Sequence, residues 1–245
     1  SWDWASVVPA IEEHHRTLAL DWPGLGASDK GDGVDYSIDA LAETLIALWR
    51  HDGIGSTRIV AHDVGTIVTQ ELLARALDGD LDVAIESVTW LNGSLYPELY
   101  QPTDTQLALL DPENGPDLAA AVDENLYRLG VAGVHHPDRQ PSADVLAQHW
   151  EAFSERNGPA EMPRFLAYIP ERARRAERLV DAIEETDIPQ RFVWGDADPV
   201  SGRAQSARIA ERLGDGVDLV AYPDASHYPH TERPDDVARE LLRPW

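Results

Sequence analysis

Asp63, Asp198 and His227 are the residues whose types and settings could do chemistry. Asp63 lies in "RIVAHDVGTIVTQELLAR", residues 58 to 75, where a strand-like run breaks on Ala-His-Asp-Val-Gly and restarts at once as an amphipathic helix. An elbow of this kind forces its central residue into a strained conformation, and the small neighbours Ala61 and Gly65 are expected to let the backbone pack that closely. The following helix aims unpaired amides at the elbow, which favours an anion there. Taken alone, Asp63 also suits an ordinary helix N-cap. Asp198 closes a strand-like run in "FVWGDADPVSG", and His227 lies in "YPDASHYPHTERP", the loop after the last such run. A carboxylate needs no base to attack an electrophilic carbon, and an imidazole held by a second carboxylate can draw a proton from water.

These residues need elements to position them. Short apolar runs alternate with helical patterns, the signature of parallel strands joined by crossover helices. The expected strands are residues 16–21, 57–62, 87–92, 190–195 and 217–222. "SIDALAETLIALWRHDGIG" puts Ile38, Leu41, Leu45 and Leu48 on one helical face, with a Ser37 cap and a stop at Gly53. "RPDDVARELLRPW" starts a closing helix near Pro234, with acids in its first turn. The long interval between 92 and 190 is broken by Pro, Gly and Asn into short helical pieces, and a structureless loop of that length is improbable. It is read as an inserted helical cap at 97–178, with 1–96 and 179–245 forming the core. In such a sheet ligands gather at the carboxyl ends of the strands, where Asp63, Asp198 and His227 all fall.

The order nucleophile, acid, histidine matches that of the α/β-hydrolase triad. The chain resembles the α/β-hydrolase superfamily over nearly its whole length, in the branch whose nucleophile is aspartate: haloalkane dehalogenases, epoxide hydrolases, fluoroacetate dehalogenases and the mesoderm-specific transcript group. The resemblance rests on "ALDWPGLGASDK", "AHDVG", "VTWLNGSLYPE", "WGDADPV" and "SHYPHTERP". "HDVGTIVTQELLAR" followed by "LNGSLYPE" looks most like the mesoderm-specific transcript group. It implies an α/β-hydrolase fold, a mostly parallel doubly wound sheet with an inserted helical cap. It also implies two or three strands and an H-G-x-P loop ahead of "SWDWASVVPAIEEHHRTLALD", so these amino-terminal strands are expected to be absent from this chain.

The implied chemistry is a covalent ester on Asp63, hydrolysed by water that His227 activates, with Asp198 orienting the imidazole and the Val64 amide serving as one oxyanion donor. A small epoxide or haloalkane is the expected substrate. Dehalogenases commonly place Trp after the nucleophile, and fluoroacetate dehalogenases place Arg there; this chain has Val64, which donates only through its backbone. Substrate or leaving-group contacts are therefore sought in the cap, among Tyr96, Tyr100, Tyr127, His149, Trp150 and Tyr168, although any one of them taken singly is better explained as packing the cap against the sheet. His62 and His230 are read as structural. The pairs His14-His15 and His135-His136 lack a metal-site spacing, so no metal and no cofactor is expected. Two alternatives stay open: a carboxylic ester hydrolase, which Asp63 opposes because it would yield an anhydride, and a non-catalytic binding protein on the same fold.

Composition narrows the classes further. The chain of 245 residues has 44 acidic and 20 basic side chains, a net charge of −24, and Lys30 as its only lysine. Such a charge repels phosphate backbones, so nucleic acid is not an expected partner. Self-repulsion on this scale points to a salt-rich cytoplasm; a plainly acidic surface with a bias toward Arg is the alternative. Without cysteine, disulfides and thiolate chemistry are excluded. No apolar run could span a membrane and no leader pattern opens the chain, so a cytoplasmic location is expected. Oligomeric state is not legible.

Overall fold

The computed structural model describes residues 1–245. Four parallel strands, β1 (Ser56–Ala61), β2 (Ala84–Trp90), β3 (Gln190–Gly195) and β4 (Asp218–Tyr222), form one sheet in the order β1-β2-β3-β4. β3 is buried at every position after its first, as befits a parallel strand covered on both faces, with the buried Arg191 paired to Asp218 at 2.8 Å and the apolar run Phe192–Val193–Trp194 following it. Its side chains alternate between two cores. Phe192 and Trp194 join Trp90, Leu41, Ile67 and Leu72 on one face, whereas Val193 joins Val7, Leu91 and Val237 on the other.

The elbow helix, Val64–Leu77, packs between the Ile38–His51 helix and the Ala176–Glu185 helix. Ser37 caps the first of these through its Oγ, which accepts from the Ala40 amide at 3.2 Å. The buried stripe of that helix is Ile38, Leu41, Ala42, Ile46 and Trp49, so Leu45 and Leu48 sit at its half-buried margin. The closing helix spans Pro234–Leu242 with Pro234 at its start.

Residues 16–21 form no strand. β1 pairs only with β2, so this apolar run has no neighbour with which to exchange ladder bonds, and Leu18 is left exposed. The interval between β2 and β3 is helical, with its longer members at Glu124–Val134, Ala143–Ser154, Tyr168–Arg174 and Ala176–Glu185. Residue 178, taken from sequence as the end of the cap, lies inside the last of these. Leu179, Ala182 and Ile183 from that helix belong to the main core. No helix is long and apolar enough to cross a membrane.

Candidate active site

Asp63, two residues past the end of β1, has φ 46° and ψ −119°, a positive φ that non-glycine residues avoid. Such a conformation costs about 1–3 kcal/mol and persists only where its surroundings over-determine it. Here the Asp63 amide donates to the Asn92 carbonyl at 2.9 Å, tying the elbow to the end of β2, and Thr66 Oγ donates back to the Asp63 carbonyl at 2.6 Å. The close approach expected at Gly65 is found elsewhere. A Cβ at Gly65 would meet nothing within 4 Å, whereas one at Gly93 would lie 2.3 Å from Thr66 Oγ1. The crowding comes from the β2 end pressing on the elbow helix from outside, not from the helix's own first turn.

The Asp63 side chain makes no capping bond to its helix and is 47% exposed. It therefore projects from the elbow instead of closing it. The Gly65 and Thr66 amides are taken by the carbonyls of His62 and Asp63, which leaves the Val64 amide as the first free donor of the helix.

His227 reaches the elbow from the loop after β4. Its Nε2 lies 3.9 Å from Asp63 Oδ1, and its Nδ1 donates to Asp198 Oδ2 at 2.9 Å. The Asp198 side chain is wholly buried. Its Oδ2 also accepts from Asn92 Nδ2 at 3.0 Å and Ser201 Oγ at 2.7 Å, and its Oδ1 accepts from the Val200 amide at 2.8 Å. Burial alone would raise this carboxyl, but the His227 charge and these bonds outweigh it and hold Asp198 well below the usual carboxylate range. Burial likewise pushes the His227 imidazole down, yet the charge and bond of Asp198, then the charge of Asp63, lift it to about 9. A Cβ at Gly195 would stand 2.1 Å from the Ser226 carbonyl, so only glycine lets the histidine loop lie this close to β3.

Glu232 fixes that loop. Its carboxylate accepts from the amides of Ser226 at 2.8 Å and Tyr228 at 3.3 Å, the neighbours of His227 on either side. His62 Nε2 donates to the His227 carbonyl at 2.8 Å, the structural bond expected of it. His230 is fully buried, stacked on Trp4 with ring centroids 4.7 Å apart, and burial holds it neutral. His135 stacks on Tyr228, while His14 and His15 are exposed. No group of three or more His, Cys, Asp or Glu side chains is placed to hold a metal ion.

The six cap candidates separate into three places. Tyr96 is buried away from the elbow, where its hydroxyl faces Glu184 and its ring lies under Arg208. Tyr127 and Trp150 pack with Phe153 in an aromatic cluster, and His149 Nδ1 lies 3.9 Å from Asp3. Tyr100 and Tyr168 remain near the elbow: burial, and after it the Asp63 charge, raise both phenols. Between them lies a residue that sequence reasoning passed over. Arg172 is buried, with its guanidinium carbon 4.3 Å from the Tyr100 ring centroid. Its signal was the spacing Tyr168 to Arg172, which puts both on one face of a helix. Asn92, a polar residue at the carboxyl end of β2, was likewise visible and unread.

Two open depressions of about 490 and 500 Å³ lie elsewhere. One is bordered by Arg191, Asp218 and Trp245, the other by His136, Pro137 and Ala197, and neither is lined by Asp63.

Known proteins resemble this chain in sequence and in fold. Residues 1–234 match the family model described as the alpha/beta hydrolase fold. The chain is 31% identical over 242 residues to "Putative hydrolase LipZ" of Mycobacterium tuberculosis, covering 99% of this chain and 83% of that protein. It is 31% identical over 240 residues to "Mesoderm-specific transcript homolog protein" of Homo sapiens, covering 96% of this chain and 72% of that one. The crystal structure of haloalkane dehalogenase DbeA from Bradyrhizobium elkani superposes with a TM-score of 0.79 at 20% identity, over 98% of this chain and 84% of that one, a likeness of fold alone. The chain belongs to the alpha/beta hydrolase fold family, among relatives of the haloalkane dehalogenases and the mesoderm-specific transcript proteins.

Proposed function

We propose that this hydrolase works through a covalent alkyl ester on Asp63, acts on a small haloalkane or epoxide, and uses the helices of 97–178 as the cap over its site. One observation carries the reading: Asp63 is held in a strained elbow, free of any capping bond, and faces the unbonded Nε2 of a histidine whose other nitrogen is anchored to Asp198. An Asp63 oxygen attacks the electrophilic carbon and the bond to the leaving atom breaks with its electron pair on that atom. That atom departs as halide or, from an epoxide, stays on the product as an alkoxide that takes a proton from a nearby tyrosine or from water. Water then attacks the carboxyl carbon of the ester as His227 Nε2 takes its proton. The Val64 amide stabilises the tetrahedral oxyanion, and its collapse releases the alcohol and restores Asp63.

The electrostatics support this order of events. With Asp63 and Asp198 both charged, His227 is lifted to about 9 and carries a proton at rest. Esterification removes the Asp63 charge, so the imidazole gives its Nε2 proton up to solvent more readily and is then free to act as base.

The test is to replace His227 with Gln, incubate with a panel of epoxides and haloalkanes, and weigh the peptide containing Asp63. The expected result is a peptide heavier by the alkyl group, and no gain when Asp63→Asn is added. No adduct from any member of the panel would overturn the reading.

A further inference from the structure

Arg172 is the charge in the site that the reaction above leaves without a task. It sits one turn after Tyr168 in the Tyr168–Arg174 helix and is only 3% exposed. Every other arginine pairs with a carboxylate, apart from Arg174 and Arg203, which lie in the open. Arg172 pairs with none, and its buried Nε has no hydrogen-bond partner. A guanidinium does not escape burial by giving up its proton, so such a group calls for an anion. The carboxylate whose charge acts on Arg172 is Asp63.

A count of charges decides which further anion it would receive. At rest, Asp63 opposes Arg172 and Asp198 opposes protonated His227, while the Glu232 carboxylate is bonded to the amides of Ser226 and Tyr228 on the loop. Alkylation neutralises Asp63 and places one negative charge on the leaving group. A leaving anion held beside Arg172 keeps the site balanced, whereas a substrate bearing a permanent carboxylate would add a negative charge before any bond broke. Arginine donates hydrogen bonds but no proton, so the leaving group must be stable as an anion, which suits a halide and not an alkoxide. Of the two phenols near the elbow, Tyr100 already donates to Gln106 Oε1 at 2.9 Å and Tyr168 is the one left to protonate an alkoxide, so the choice of a halide rests on Arg172 itself.

We propose, on the footing of the Asp63-nucleophile reading, that Arg172 is a catalytic residue that receives the departing halide of a haloalkane substrate. As the Asp63 oxygen bonds to carbon, the carbon–halogen bond breaks, its electron pair leaves with the halogen, and the halide accepts an N–H from Arg172. No proton moves in this step. Arg172 thus supplies the donor that Val64 lacks a side chain to provide.

Two measurements test it. In the first, the Asp63→Asn protein, freed of the competing carboxylate charge, is titrated with sodium bromide in a calorimeter at constant ionic strength. Saturable binding is expected, weakened about tenfold or more by adding Arg172→Gln and largely restored by Arg172→Lys. Equal binding with and without Arg172→Gln overturns the proposal, and so does sodium acetate binding more tightly than bromide, which would assign Arg172 to a substrate carboxylate. In the second, the growth of the Asp63 ester is timed in the His227→Gln background with 1-chlorobutane and 1-iodobutane. Arg172→Lys and Arg172→Gln are expected to slow the chloride more than the iodide, because the poorer leaving group needs more help. Ester growing at the unaltered rates overturns the role of Arg172 while leaving Asp63 as nucleophile. Ester absent with arginine in place overturns both.

Discussion

His227 stands between two carboxylates and bonds to only one: its Nδ1 lies 2.9 Å from Asp198, whereas its Nε2 stops 3.9 Å short of Asp63. The bonded side fixes the tautomer, with hydrogen on Nδ1, and the open side faces the ester that would form. Asp198→Asn keeps the size of the side chain but must present an amide to four donors, those of His227, Asn92, Ser201 and Val200. The substitution is expected to slow ester hydrolysis by a factor on the order of 10³–10⁴, as loss of the orienting acid does in a triad. Ester formation should suffer far less, because Asp63 needs no base to attack. Single-turnover experiments that follow the Asp63 peptide by mass separate the two steps, and equal slowing of both would contradict this division of labour.

The same pair sets how stability responds to pH. His227 has its folded pKa raised from 6.5 to about 9, so its contribution is complete below pH 6.5 and is lost as the pH climbs through about 9. Asp198 is shifted the other way from 3.8; its contribution is present above that value and is lost as the pH falls through the lowered one. The denaturant midpoint of the native protein should therefore decline between pH 6.5 and about 9, and this decline should vanish in His227→Gln. A decline of the same size in the variant would assign the effect to other groups.

The elbow offers a stability test between two glycines. Alanine at Gly93 would press its Cβ to 2.3 Å from Thr66 Oγ1, against a side chain already bonded to the Asp63 carbonyl. Overpacking of this kind destabilises by about 1–3 kcal/mol, and here it should also loosen the strained turn. Gly65→Ala meets open space on a helix, where alanine is favoured over glycine by about 1 kcal/mol, so it should be neutral or stabilising. Urea midpoints of the two variants decide the matter, and the reverse order would mean that the elbow is crowded from its own side.

What the sequence made legible follows from what patterns encode. Asp63, Asp198 and His227 stood out because each closes a strand-like run and the three fall in a meaningful order. The apolar alternation of residues 16–21 reports a strand propensity, whereas a strand also needs a partner, and none lies beside β1 on that side. Arg172 was hidden inside "ERARRAER", where neighbouring arginines look alike until the helix is wound and packed. Once it is, Arg175 and Arg178 turn to Glu71 and Arg172 alone turns to the tyrosines. Tyr96 and Tyr100 are four residues apart, yet Tyr96 meets Glu184 and Arg208 while Tyr100 meets Arg172 and Gln106, which no local pattern reveals.

The charge imbalance yields a prediction of its own, because two effects of salt oppose each other. Exposed ion pairs such as Arg50–Asp82 and Arg58–Glu86 weaken as salt rises, but pairs so open to water contribute little to begin with. Against them stands the repulsion among acids that have no cation left to meet, since 44 acidic residues share 20 basic ones. That repulsion acts over the Debye length, about 10 Å at 0.1 M and about 3 Å at 1 M, so molar salt removes most of it. The repulsion should prevail, and Tm should rise steadily with potassium chloride. Glu12, Glu13, Asp80 and Asp215 are exposed, and replacing them with the matching amides should shrink the rise by lowering the charge that salt must screen. A Tm indifferent to salt, or a rise unchanged in the amide variant, would show that this surface tolerates its charge by other means.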